Sequence, residues 1–556
     1  MKSIRYLLTA LVVLSLYGTA LYSQTPSFRV FPNDINEFTQ TEPLIVVSPL
    51  NPLVMFCSAV TIDLSAAGGG FRSEGVYVTT NGGLNWFGSD TCKGYLITNH
   101  GGDPGIAIDK NGTFILKHVG NAINGVYAHY STDMGATWSN AYTVSQQYLA
   151  EDKGSMATDI VPTSSFYGRT YLAWVNVQSP FPVQFSYTTN SGLSWSARTP
   201  VNGTPPNRCS GGDLEIGPNG EVYIVWAAVI NTIPYTEVNA GFAFSTTGGS
   251  SWNVNQNIFA MHGINGTLVS KDNIRVNGLP RIAVDHTNGP RRGWIYVLTT
   301  ETNDSTWAGN DPDIVMHKST NNGQTWSAGI RVNQDALNNG KIQYFPAACV
   351  DSTGALNVLF FDDRNTTSDS TDVFLSRSTD GGNTWTEFLV SDKRYKPVHI
   401  IGNFQGDFIS ITSARGKLFP VWMGNYVTGT YKIWTTIIDI STIGVKNIST
   451  EIPKQFSLHQ NYPNPFNPET KIKFSIPQTP LNPPFNKGGT ERSEGGFVQL
   501  IIYNSLGQQI AEIVNGSLTA GTYEVNWNAS GFASGTYFYE LTAGDFREVK
   551  KMVLVK

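Results

Sequence analysis

An eight-residue pattern recurs six times across the middle of the chain: TTNGGLNW at 79–86, STDMGATW at 131–138, TTNSGLSW at 188–195, STTGGSSW at 245–252, STNNGQTW at 319–326 and STDGGNTW at 378–385. A repeat of this kind means that one supersecondary unit is copied, each copy burying its apolar face against the next. The six tryptophans are 52, 57, 57, 74 and 59 residues apart. The residue types suit a hairpin. The leading Ser or Thr and the Asp or Asn bond back to turn amides, the central Gly supplies positive φ, and the Trp anchors the loop between neighbouring sheets. Each interval holds four short strands. In the sixth unit they are expected at 345–351, 355–361, 372–378 and 385–391, with the octapeptide between the third and the fourth.

A cue for the innermost strand of each unit appears seven times, beginning at Glu42, Asp103, Asp152, Gly211, Leu279, Phe345 and Gly406. Seven inner strands face only six octapeptides. After Gly406 three strands follow, ending near 432–440, without an octapeptide or an outer strand. Residues 27–30 (SFRV) near the N-terminus look like the outer strand 329–332 (GIRV), so an N-terminal strand is expected to complete the last unit and close the ring. Composition fits short strands and frequent turns, with 55 glycines and 12% aromatic residues. With 37 Lys and Arg against 42 Asp and Glu there is no basic surface for nucleic acid.

The octapeptide resembles the Asp-box, or BNR repeat, of sialidases and related β-propellers, over roughly residues 27–442. The resemblance implies an all-β, sialidase-like β-propeller; the seven inner strands make it seven-bladed, with the six blades of typical sialidases as the alternative. It also implies that the boxes are architectural and lie on the face away from the active site.

Both ends read as addresses. Lys2 and Arg5, an apolar run at 7–16 and small residues at Gly18, Ala20 and Ser23 make 1–23 a signal peptide, too short in its apolar part to span a membrane. The propeller is expected at 24–443, a linker at 444–455 and a final domain at 456–556. In the last, alternating stretches at 471–476, 498–503, 521–527, 536–541 and 548–555 fit a small immunoglobulin-like β-sandwich, entered through the proline-rich turns of 461–468. The blocks NYPNPFNPET, YNSLGQQI, AGTYEVNW, SGTYFYEL and KKMVLVK resemble the type IX (Por) secretion C-terminal sorting domain. That resemblance implies the type IX machinery as a partner and delivery to the medium or the cell surface, with no transmembrane helix in the mature chain. Residues 479–496 form a Pro, Gly and Ser-rich insertion and read as a disordered loop.

In such a ring, the loops entering the inner strands and those joining the second to the third strand gather around the axis, where a site is expected. They bring Glu42, Asp103, Asp152, Asp213, Arg281 and Asp407 from the first set, and Arg72, Glu301, Asp311, Asp313, Asp362, Asp363 and Arg364 from the second. A glycosidase needs two carboxyl groups across the scissile bond. Asp152 and Asp362 are the expected catalytic pair, each beside charged neighbours that shift its titration. Arg72, Arg281, Arg364, Asp103, Asp213 and Asp407 are the expected substrate-binding residues. The alternative is that Asp362, Asp363 and Arg364 form a loop-tightening ion pair and that Glu42, Asp103 and Asp407 cap strand entrances.

The Arg-Ile-Pro signature of sialidases is absent. No cofactor is expected. Calcium at 310–313 or 369–372 is weighed against solvated turns, which fit better, and His118, His129, His286 and His399 show no metal-ligand spacing. Cys57, Cys92, Cys209 and Cys349 permit three disulfide pairings. Two functions remain: a secreted, sialidase-like glycoside hydrolase acting on extracellular glycans, or a non-catalytic glycan- or protein-binding surface protein. The second draws on aromatics expected to be exposed for sugar stacking, Trp307, Tyr344 and Tyr395.

Overall fold

The computed structural model describes residues 21–22, 26–32, 38–65, 70–92, 99–146, 151–264, 266–302, 310–427, 430–449, 451–478, 495–529 and 532–556. Most of the expected signal peptide, Trp307 and most of the 479–496 insertion lie outside these residues. The chain divides into two compact units, one of residues 25–440 and one that includes 441–556.

Among the described residues the first unit contains seven antiparallel sheets of the same build. Six consist of four consecutive strands, for example Gln343–Val350, Leu356–Asp362, Asp372–Ser378 and Thr386–Leu389. The seventh takes Ser410–Ala414, Lys417–Val427 and Thr430–Thr435 from the end of the unit and Phe28–Arg29 from its beginning. Phe28 pairs with Thr435, Arg29 with Trp434, and the Val30 amide donates to the Ile433 carbonyl at 2.9 Å. The innermost strands follow one another in chain order, and Ser410–Ala414 lies beside Thr39–Val47, so the series closes on itself. All seven line one axial channel of about 470 Å³. Strand character follows burial: the second strand of each sheet, such as Val222–Val229, is packed on both faces and reads as a continuous apolar run.

The six octapeptides occupy the turn between third and fourth strands and share one bonding scheme. In STNNGQTW, the Ser319 hydroxyl accepts from the Gly323 amide at 2.9 Å and the Asn321 side chain accepts from the Thr325 amide at 3.0 Å. The same two bonds recur in STDMGATW from Gly135 to Ser131 and from Thr137 to Asp133, both at 2.8 Å. Gly323 has φ +78°, and a Cβ there would lie 2.1 Å from the Phe242 ring of the preceding sheet, so both conformation and space require glycine. Trp326 packs edge-on against that ring at 5.3 Å. Thus each octapeptide ties its own turn and fastens its sheet to the one before it.

The second unit has two sheets over one core. Ser457–Leu458, Glu469–Ile476, Gly521–Asn528 and Lys446–Ser449 form one, and Gln509–Thr519, Gly495–Asn504, Gly535–Ala543 and Phe546–Leu554 the other. Ile472, Phe474 and Trp527 from the first share buried contacts with Leu500, Ile502 and Leu541 from the second. Two expectations need correction. The 444–455 segment, expected to be a linker, contains Lys446–Ser449, which pairs with Gly521–Asn528, because the open edge of that strand accepts another. Gln509–Thr519 is a full strand that alternation does not reveal, because two bulges interrupt its register with Gly495–Asn504 and break the period-two signal. Leu21–Tyr22, within the expected leader, pairs with Lys446–Asn447.

Candidate functional site

In an antiparallel sheet of four strands, the entry to the first strand and the turn from second to third lie at one end, and the octapeptide turns at the other. At the entry end a cavity of about 310 Å³ is lined by Glu42, Asp103, Asp152 and Asp407, with Phe71, Phe404, Ile401 and Arg275 as its remaining side-chain walls. Four inner-strand entrances meet there. Local backbone form puts the acids in place: Glu42 and Asp103 both have positive φ, at 57° and 58°, Glu42 at the irregularity within Thr39–Val47 and Asp103 just before Gly105–Ile108.

The carboxyls are bound unequally. Glu42 is 2% exposed, and its Oε1 accepts from the Asp407 amide at 3.0 Å. Asp103 Oδ2 accepts from the Lys153 amide at 3.1 Å, while Lys117 Nζ donates to the Asp103 carbonyl at 3.0 Å. Asp407 forms a two-point pair with Arg275, its Oδ1 accepting from Nε at 3.2 Å and its Oδ2 from the other end of the guanidinium. Burial pushes the Asp103 carboxyl up to about 6, helped by the charge of Asp152 and opposed by Lys117. Glu42 is raised well above the ordinary range by burial first, then by Asp407 and Asp103. Behind the cavity, buried Glu74 is likewise raised by desolvation, and His100, 2.9 Å from it, is lowered to about 3 by burial. His100 is therefore neutral.

Below the cavity the axial channel holds Lys153, Asp213 and Arg281. Asp213 accepts from the Ile282 amide at 3.1 Å and lies 3.4 Å from Arg281 Nε, so it organises the channel wall.

The structure brings Asp103, Asp152 and Asp407 together, with Asp213 and Arg281 in the adjoining channel. It does not bring Asp362 to Asp152. Asp362 ends the second strand of the sixth sheet, and its oxygens accept from the Arg364 amide and Nε, both at 2.7 Å. Arg364 also pairs with Glu387 on the outermost strand and with Asp335, so this cluster is a closed ion network rather than a lining of the mouth. Burial raises Asp362 to about 6 in spite of Arg364, so an unusual titration by itself does not mark the site. Arg72 pairs with Asp63 at 3.0 Å. The three arginines expected to hold substrate are thus each engaged by a different carboxylate.

Other expectations are corrected by burial. Tyr344 and Tyr395 are 0% and 3% exposed, in an aromatic cluster with Phe361, and are closed to ligand. Phe71 and Phe404, with ring centroids 6.0 Å apart, supply aromatic surface at the mouth instead. All four cysteines are free. Among the described residues no three His, Cys, Asp or Glu side chains converge as a metal set. Asp313 pairs with Arg331 at 2.7 Å and Asp369 with Lys396. His118 and His129 are buried and face each other at 3.3 Å between their Nε2 atoms.

Arg275 is the wall residue that sequence reasoning missed. It lies on Ile274–Val276, which pairs with Gly266–Leu268 as a two-stranded insertion between the fourth and fifth sheets. The signal was present: the 74-residue interval between the fourth and fifth tryptophans exceeds the others. The insertion reaches the seventh sheet through Arg275 and the sixth through Lys271. That ammonium is fully buried and donates at 2.8 Å to Asp363 and at 2.8 and 3.0 Å to the carbonyls of Ser368 and Ser370.

Comparison with known proteins bears on the C-terminal unit first. A family model described as secretion system C-terminal sorting domain matches residues 460–556. Residues 460–556 are a secretion sorting domain. The sorting domain engages the type IX machinery and sends the chain to the cell surface or the extracellular space. Among the described residues no helix is long and apolar enough to cross a membrane. No curated protein matches the chain. Solved structures that align with it include a protein of unknown function from Dyadobacter fermentans, at 12% identity and TM-score 0.41, covering 75% of this chain and 98% of that one. An ulvan lyase described as a new family of polysaccharide lyase aligns at 10% identity and TM-score 0.47, covering 72% and 94%. An α-L-arabinofuranosidase from Fusarium graminearum aligns at 10% and 0.39, covering 61% and 93%.

Proposed function

We propose that the sorting domain exports a seven-bladed β-propeller whose axial mouth acts on extracellular glycans as a glycoside hydrolase. Asp103 is its proton donor and Asp152 its second carboxylate. The seven like sheets and the N-terminal strand in the last of them support the blade count, and the shared bonding of the six octapeptides supports reading them as Asp-boxes. The chemistry rests on one observation. Asp103 and Asp152 line the same cavity, and burial together with the Asp152 charge holds the Asp103 proton up to about pH 6. A carboxyl that keeps its proton near neutral pH protonates the leaving glycosidic oxygen as the bond to the anomeric carbon breaks. Asp152 then either takes a proton from the water that attacks that carbon or attacks it directly. Phe71 and Phe404 offer faces for the sugar ring.

The engagement of Arg72, Arg281 and Arg364 by separate carboxylates favours a substrate other than sialic acid, whose carboxylate calls for a convergent arginine cluster. A non-catalytic glycan-binding role is the second reading, favoured by the aromatic wall beside an Asp407 already satisfied by Arg275.

Incubation of the purified protein with a pool of neutral, amino and acidic glycans, with released sugar read by mass spectrometry, tests this. Release that is lost in Asp103→Asn and Asp152→Asn supports hydrolysis. Retention of intact glycans without release, sensitive to Phe71→Ala, replaces it with binding. The absence of both release and retention overturns the glycan reading.

A further inference from the structure

The side-chain oxygens in the cavity remain under-used. Glu42 is 98% buried by its 2% exposure, lines the cavity, and among the described residues has a hydrogen-bond partner only on Oε1. Asp103 has one only on Oδ2, and the Asp152 carboxylate has none. In their ionised form these groups accept and never donate, so they then call for donors from whatever enters. The local charge is also unbalanced. With every group ionised, six carboxyls, Glu42, Glu74, Asp103, Asp152, Asp213 and Asp407, would stand with four cations, Lys117, Lys153, Arg275 and Arg281, an excess of two acids that is relieved by the protons some of them keep. Two of those cations already serve Asp407 and Asp213. Lys153 lies 4.6 Å from the Phe408 ring centroid in the channel, and Lys117 spends a donor on a backbone carbonyl.

We infer that the cavity selects a glycan unit carrying a free, protonated amine over its neutral or N-acylated counterpart. This inference rests on the glycan reading above and names its substrate class. An ammonium brings three donors and a positive charge into the cavity that Glu42, Asp103 and Asp152 line. Arg275 already lies over the Phe404 ring at 5.3 Å, so Phe71 is the ring left to favour a cation beside it, and the apolar surface of Phe71, Phe404 and Ile401 covers the C–H face of the same sugar. A volume of about 310 Å³, at the low end for ligand pockets, fits a short glycan end rather than a long stretch of polymer. The protons that Asp103 and Glu42 retain stand in for the absent cation. An entering ammonium therefore displaces them, and binding near pH 6 releases protons.

The test is calorimetric titration of the purified protein with a trimer of glucosamine, its fully N-acetylated form, a neutral glucose trimer and a simple alkyl diamine, at pH 6 in two buffers of different ionisation enthalpy. The expected result is at least tenfold tighter binding of the free-amine trimer than of the other two sugars, with proton release. That preference should disappear in Asp152→Asn, whose fold is checked by its melting temperature, and persist in Asp362→Asn. Equal binding of all three sugars overturns the amine inference and leaves the glycan reading standing. Binding of the diamine as tightly as the trimer keeps the ammonium site but removes the sugar. Binding of none removes both.

Discussion

Two acidic clusters in the same unit share burial and composition but differ in how their oxygens are used. At the mouth, Asp152 has no partner among the described residues, and Glu42 and Asp103 each keep one oxygen free. In the sixth sheet, Asp362 is closed on both oxygens by Arg364, which also holds Glu387 and Asp335. Asp103 and Asp362 are both raised to about 6 by burial. What separates a candidate site from a structural network is the count of satisfied acceptors and access to a cavity, since either arrangement perturbs titration.

The largest expected effect falls on activity. Asp152→Asn should lower glycan release by about 100-fold or more, the range of a lost acid or base, while the melting temperature stays put. Asp362→Asn should leave release per folded molecule within about twofold, because its carboxyl faces Arg364 and not the cavity. Equal losses in the two variants would dissolve the comparison.

Next comes stability. Arg364→Ala leaves buried Asp362 and Asp335 without their shared cation and should cost about 3 kcal/mol in urea unfolding, the range for breaking a buried pair. Asp152→Asn breaks no bond and should change stability by less than about 0.5 kcal/mol.

The pH dependence is smaller. With the folded value of Asp103 near 6 and the ordinary carboxyl value at 3.8, the folded state holds the extra proton between those limits. Its carboxyl costs nothing below the window and costs stability progressively as pH rises through it. Asp103→Asn should therefore raise stability at pH 8 by about 2 kcal/mol, after allowance for solvent in the cavity, and by little at pH 4. Melting curves across pH 4 to 8 read this directly. A parallel shift at every pH would mean that Asp103 is not held protonated by its surroundings.

Much of this molecule was legible beforehand because its signals are local. The octapeptides carry their own bonds, from residues 319 and 321 to the amides of 323 and 325, so spacing and residue type were enough to place them. The pairing of Phe28 with Thr435 was readable too, since one strand was missing at the end of the repeat and one was spare at its start. Asp103, Asp152 and Asp407 were found at the mouth because every inner strand enters there. Asp362 was misplaced even though its pairing with Arg364 was legible as the alternative; what the sequence does not show is that Glu387 and Asp335 close the network around Arg364. Tyr344 and Tyr395 were misplaced because residue type does not say which side chains their neighbours cover.

The sequence alone determined the repeating sheet, the closure of the series by its N-terminal strand and the sorting domain at 460–556, all set by periodicity and short-range bonding. Tertiary structure decided which acids kept an oxygen for a ligand. That choice depends on cations delivered from distant segments: Arg275 crosses 132 positions to reach Asp407, and Arg364 reaches Glu387 across 23. Charge is neutralised through space, and the order of residues along the chain carries no record of which cation arrives where.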